Sequence, residues 1–340
     1  MDIKAIKPSD DFLMGQIEMA IWAQRVSVGI EQRLGKSLGR YQKAVIAELA
    51  ESGEITQLNK RQFDKLIKLI DEIGHKNLDA DIRQALDDIG ELSGMAAAAE
   101  ALTISRLSQK TIKKLSDPFR LAVQTPIAAT GDLLEPFVES LTATAIKKME
   151  REIRISLANS RTLDETVAAI KKLTGDMTKR DVEAVISTAT QHAFNLSRAA
   201  VYEANGIAKL RCVATLDVRV CFSCAALDGK IVDREKAPRY PLHPRCRCLT
   251  VPELPGLEKL REGATRSSAE GYVPQSMTAF EYLKGKPMAD LVEAYGPTVA
   301  AAIKGDKMTA TKFRDLALDK ALRPISVGDM KEKMERRGLL

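Results

Sequence analysis

The chain has 340 residues, 45% hydrophobic and 29% charged, with a net charge of +6. That length suggests two or three domains with a sizeable core, and the composition is that of an ordinary globular protein, which excludes a disordered or fibrous chain. Aromatic residues make up only 4%, which argues against a large β-sandwich or barrel and for helices.

The opening stretch "MDIKAIKPSDDF" has no apolar signal core, and no run of about eighteen apolar residues occurs. The expectation is a protein made in a reducing cytoplasm with no membrane association. There, clustered cysteines hold metal more often than they form disulfides.

Residues 10 to 206 read as successive helices. Phe63, Leu66, Ile67, Ile70 and Ile73 recur at helical spacing up to Gly74, and Leu78, Ile82, Leu86 and Ile89 recur up to Gly90. Both glycines are read as stops. A long amphipathic helix begins near Asp132, with Pro136 in its first turn. "TLDE" at Thr162 and "TKRD" at Thr178 predict two capped starts, the first helix closing at Gly175 and the second at Gly206.

After Gly206 the period changes. "AKLRCVATLD" alternates as a strand, "LDGKIVD" adds a turn and a second strand, and "CRCLTVPEL" a third. A sheet this small needs a metal or helical support. "REGATRSSAEGYVPQS" reads as a polar linker, followed by short helices capped at Thr278 and Ser326 and broken at Gly296. The predicted fold is therefore mainly α with a small α+β zinc-stapled module. Long N-terminal helices (1–160) precede the Cys/His module (161–255), and a linker with a short-helix tail (256–340) follows. The tail is expected to be a docking segment separable from the module.

Four of the five cysteines lie between residues 220 and 248. Cys221 and Cys224 form a C-x2-C pair, and His243, Cys246 and Cys248 follow on "HPRCRC". Paired thiolates closed by a distant Cys or His pair make a tetrahedral site, and zinc is the metal that prefers such ligands. Five candidates compete for four positions, and the spacing leaves the choice open. Cys212 reads as a small core residue, Asp228 as an Asp-Gly turn residue, and His75 and His192 as ordinary helix positions. No His-Glu pair precedes the C-x2-C, and no phosphate loop or nucleophile elbow occurs. One structural zinc ion is the expected cofactor. Residues 209 to 248 also carry nine basic against four acidic residues, a candidate surface for phosphates. Lys230, Arg234, Lys236, Arg239, Arg245 and Arg247 are its candidate DNA contacts.

The stretch "TLDVRVCFSCAALDGKIV…PLHPRCRC" resembles the phage Mu F-type head morphogenesis, or minor head, proteins. The matching positions are Asp217, Arg219, Cys221, Cys224, Leu227, Asp228, Gly229, His243, Pro244, Cys246, Arg247 and Cys248, with Thr188, Asn195 and Arg198 on the preceding helix. The sequence departs from that pattern at Ser187, Ala189 and Cys212. The resemblance implies a virion component of the capsid interior at the portal vertex, acting in head assembly and DNA packaging or ejection, and not an enzyme. Its implied partners are the portal protein, capsid or scaffold proteins and packaged double-stranded DNA bound without sequence preference. The alternative reading, a zinc-dependent enzyme of the HNH-nuclease kind, lacks the histidine and asparagine set which that chemistry needs.

Overall fold

A computed structural model describes residues 12–254, 264–305, 308–319, 322–323 and 325–338. Helices α1 (Phe12–Ser52) and α2 (Lys60–Ser108) form a long antiparallel hairpin. At 49 residues, α2 is roughly 74 Å long at 1.5 Å per residue. Asn59 opens it with a reciprocal capping box to Gln62. Ion pairs Arg33–Asp88 and Arg40–Asp81 and a bond from Tyr41 to the Ile70 carbonyl set the register between the two helices. After α3 (Phe119–Gln124), α4 (Leu134–Ala158) and α5 (Leu163–Met177) pack along the hairpin. A π turn (Thr178–Val182) joins α5 to α6 (Glu183–Ala204).

The expected stops at Gly74, Gly90 and Gly175 are corrected: helix runs through all three. At Gly74 the reason is close packing. A Cβ there would overlap Ile146 Cγ1 and lie 2.7 Å from Ile146 Cδ1 and 3.3 Å from the Tyr41 ring. The predicted cap at Thr178 is also corrected. Its hydroxyl donates back to the Thr174 carbonyl at 3.0 Å, so the chain stays helical instead of restarting. The start near Asp132 falls at Leu134, after Leu133 as an N-cap with no side-chain bond. The caps at Thr162, Thr278 and Ser326, the left-handed Gly206 and the break at Gly296 stand where the sequence placed them.

Helix α6 is buried on every face from Thr188 to Arg198. An all-round buried helix must lie between two layers, and here these are the helical body and a three-stranded antiparallel sheet. The sheet has β1 (Lys209–Val213) in the centre, β2 (Ile231–Asp233) on one side and β3 (Leu249–Pro252) on the other. Its register pairs Leu210 with Val232 and with Pro252. Val213, Leu249 and Val251 meet Leu92, Ala96 and Phe194 of the helices. One apolar core runs from Ile30 to Leu196 through α1, α2, α4, α5 and α6.

The linker and separable tail are corrected as well. Residues 255–263 lie outside the description, but "TRSSAEGYVP" forms a hairpin, β4 (Thr265–Ser268) with β5 (Gly271–Pro274). Helices α8 (Ala279–Lys284), α9 (Met288–Lys304), α10 (Ala310–Ala317) and α11 (Val327–Arg336) follow. Phe280, Leu283, Ile303, Phe313, Met330 and Met334 share one apolar cluster with Cys212, Cys224 and Leu227. Each helix is too short to hold alone; α8 and α10 pack on the cysteine module, and α9 and α11 pack on α8 and α10. No helix among the described residues is long and apolar enough to cross a membrane.

Two glycines of α2 should respond oppositely to alanine. Gly74→Ala should destabilise the protein by about 1–3 kcal/mol through overpacking. Gly94→Ala, with nothing within 4 Å of the added carbon, should stabilise it by about 0.5–1 kcal/mol from helix propensity. Chemical denaturation of both variants checks the contrast, and equal effects would contradict the packing assigned to Gly74.

Candidate metal centre

Two arms build the centre. In the first, the loop after β1 leads into a six-residue helix, α7 (Phe222–Leu227). Cys221 occupies its N-cap, and its Sγ accepts the Cys224 N–H at 3.3 Å, the role a Ser or Asp usually takes. This one turn brings the two C-x2-C thiols together. In the second arm, the Cys246 N–H bonds to the His243 carbonyl at 3.1 Å, a tight turn with Arg245 at φ 61.

Helix α6 fixes the second arm. The Thr188 hydroxyl accepts the Arg245 N–H at 3.0 Å, and Asn195 Nδ2 donates to the Cys248 carbonyl at 3.2 Å. The Arg245 guanidinium donates to the Lys179 and Arg180 carbonyls of the π turn, each at 3.1 Å. Arg198 sits fully buried against Glu100 and Tyr202, and Tyr202 reaches the Thr250 carbonyl of β3. The two arms are clamped to each other by Arg247, which pairs with Asp217.

Cys224 Sγ lies 3.7 Å from both His243 Nε2 and Cys246 Sγ. The ligand atoms of Cys221, Cys224 and His243 lie within 4.8 Å of one another, and so do those of Cys224, Cys246 and Cys248. A tetrahedron with metal–sulfur bonds of about 2.3 Å has sulfur–sulfur edges of about 3.8 Å. The spacing already present fits a metal ion.

The electrostatics point the same way. The hydrogen bond with Cys224, then that with His243, brings the Cys221 thiol down to about 5, and Cys246 is also held low by Cys224 and Cys248. Cys224 is held high by the same contacts, with Cys221 first. His243 is pushed up to about 11 by Cys221 and Cys246. Thiols this close ionise only at one another's expense, and a cation relieves that competition. These Cys and His groups are able to hold a metal ion.

Cys212 belongs to neither group of ligands. It is buried in β1, and burial pushes its thiol up to about 12. His192 is buried with Nε2 2.9 Å from the Ala122 carbonyl, and His75 lies exposed between Asp71 and Asp79. Asp228 does more than turn the chain. Its carboxylate accepts the N–H of Ala214 and of Ala279, each at 2.7 Å, and pairs with Arg266 at 2.9 Å, all buried. Arg266 also donates to the Ala214 carbonyl, Arg314 to the Ala226 carbonyl and Tyr295 to the Val220 carbonyl. The tail thus brackets α7. The sequence reading missed Arg266, whose only signal was a lone arginine in an alternating stretch before a Gly turn.

The six basic candidates do not form one face. Lys230 and Lys236 line a cleft with Lys209, Arg234 and Arg239 line another beside Tyr240, and Arg245 and Arg247 line a third beside His243. Arg234, Lys236, Arg245 and Arg247 each pair with an acidic residue.

Residues 147–251 match the family model of the Phage Mu protein F like proteins. That segment of the chain is similar to the Mu F-like proteins, and it holds α6, β1, β2 and all the cluster ligands. No curated protein and no solved structure matches the chain.

Replacing Asp228 by alanine strands the Arg266 charge in the interior, a change expected to cost about 3–5 kcal/mol. Thermal melting should fall accordingly, and the region around α7 should lose its protection from hydrogen exchange. Melting unchanged within error would contradict the role assigned to the pair.

Proposed function

We propose that this protein is a structural minor head protein of a tailed phage, made in the host cytoplasm and built into the virion. It sits in the capsid interior at the portal vertex, contacts the portal protein and capsid or scaffold proteins, and acts in head assembly and in DNA packaging or ejection. The observation that carries this reading is the use made of the Mu F-like positions. Thr188, Asn195, Arg198, Asp217, Asp228 and Arg247 each bond one segment of the chain to a distant one, as a rigid assembly part requires. Cross-linking mass spectrometry on purified heads should give links between residues 209–338 and the portal, and absence of the protein from heads would refute the role.

The Cys/His cluster in this reading holds one zinc ion structurally. Cys221, Cys224, His243 and Cys246 are the proposed ligands, since Cys224 Sγ is equally close to His243 Nε2 and Cys246 Sγ and lies in one close group with Cys221 and His243. Cys248 then stands beside the ion. Bound zinc neutralises the thiolates and ties the two arms, contributing roughly 10–16 kcal/mol of apparent folding free energy. Elemental analysis should find about one zinc per chain. Cys221→Ser or Cys246→Ser should lose it, while Cys248→Ser keeps it. Metal-free protein that is fully folded would sink the assignment.

DNA contact is assigned to the lysines of the cleft beside β2, namely Lys209, Lys230 and Lys236. Such binding is weak, independent of sequence and steeply salt-dependent. Neutralising all three should flatten the salt slope, whereas an unchanged slope would move the contact elsewhere.

A further inference from the structure

Local rules break twice at one cleft. Arg245 takes a left-handed backbone, and α6 presents polar groups with no bonding partner. Strained residues concentrate at functional positions. The cleft, of about 430 Å³, lies between α1, α6 and the His243–Arg247 turn. That is the size of a small-molecule site, and duplex DNA is far too wide for it.

Its floor is α6. Ser187, Thr190 and Gln191 lie three and four residues apart on one helical face, and all three line the cleft. The Ser187 and Thr190 hydroxyls and Gln191 Nε2 are buried with no hydrogen-bond partner among the described residues. Thr190 is 1% exposed and Gln191 3%. Asn195 donates to Gln191 Oε1 at 3.5 Å, which leaves the amide N–H groups for the cleft. Unpaired buried donors are costly, so three on one stripe mark a place where an acceptor belongs. Arg219 stands at the mouth, and among the described residues its guanidinium makes no ion pair. Glu183, one turn before Ser187 on α6 itself, pairs with Arg245, and across the cleft on α1 Glu31 accepts from Ser27 at 2.7 Å. The unpaired donors therefore lie along α6, with the Glu31 carboxylate opposite them.

We infer that this cleft binds a small phosphomonoester. Its phosphoryl oxygens accept from Ser187, Thr190, Gln191 and Arg219, and its organic part lies toward Val28 and Glu31. A phosphoryl group has enough acceptor oxygens to satisfy all four donors, and Arg219 supplies the charge-assisted contact. Glu31 disfavours a second anionic end and so sets the orientation. The inference does not depend on the head role or on the identity of the metal.

The test is calorimetric titration of the full, metal-loaded chain with inorganic phosphate and, separately, with adenosine 5′-monophosphate, at millimolar concentration. Binding of both assigns the site to the phosphoryl group alone, and binding of the ester only assigns it to the ester. Either outcome supports the inference. Arg219→Ala, at an exposed position, should weaken binding about tenfold, and Gln191→Leu should weaken it similarly. Zinc content and melting measured on the same samples separate a lost site from a lost fold. If Gln191→Leu fails to fold, Arg219→Ala decides alone. No binding of either probe, or binding unchanged in Arg219→Ala, overturns the inference.

Discussion

A sheet of strands five, three and four residues long cannot sustain itself in water. Everything in the C-terminal half of this protein answers that constraint. Helix α6 covers one face with Phe194, the Cys/His cluster ties the loops at one end, and the hairpin and short helices close the other face. The four tail helices are as marginal alone as the sheet is, and they bury their stripes on α7 and on one another.

The joints between supports are polar and buried. Asp228 receives two backbone N–H groups and one arginine, from β1's exit, from α8 and from the hairpin. A buried pair of this kind adds little net stability over an apolar substitute, but breaking one partner is costly. Its contribution is to specify one arrangement. Arg198 with Glu100 does the same between α6 and α2, and Arg247 with Asp217 does so between the two metal arms. The helical body and the Cys/His module are thereby held in one register.

Much of this was legible in the residues. The cysteine spacing announced the centre because ligand geometry demands paired donors, and capping boxes at Thr162 and Thr278 marked real starts because they satisfy local N–H groups. Gly74 misled because a glycine that admits a neighbouring helix and one that ends its own look alike along the chain. Thr178 misled because its hydroxyl had a second use within the helix. Arg266 was hidden for a different reason. Its partner lies 38 residues away, and a long-range pair leaves no periodic trace. The polar hairpin around it passed as a linker since the contacts that order it, to Asp228 and to the Ala214 and Leu216 carbonyls, are all long-range.

The central claim is that metal, sheet and tail form one cooperative lobe carried by α6. Hydrogen exchange before and after removing metal with a chelator tests it most directly. The account predicts that residues 209–254 and 264–338 lose protection together, while α1, α2 and α4 keep theirs. Loss confined to residues 221–248, with the tail helices still protected, would contradict it.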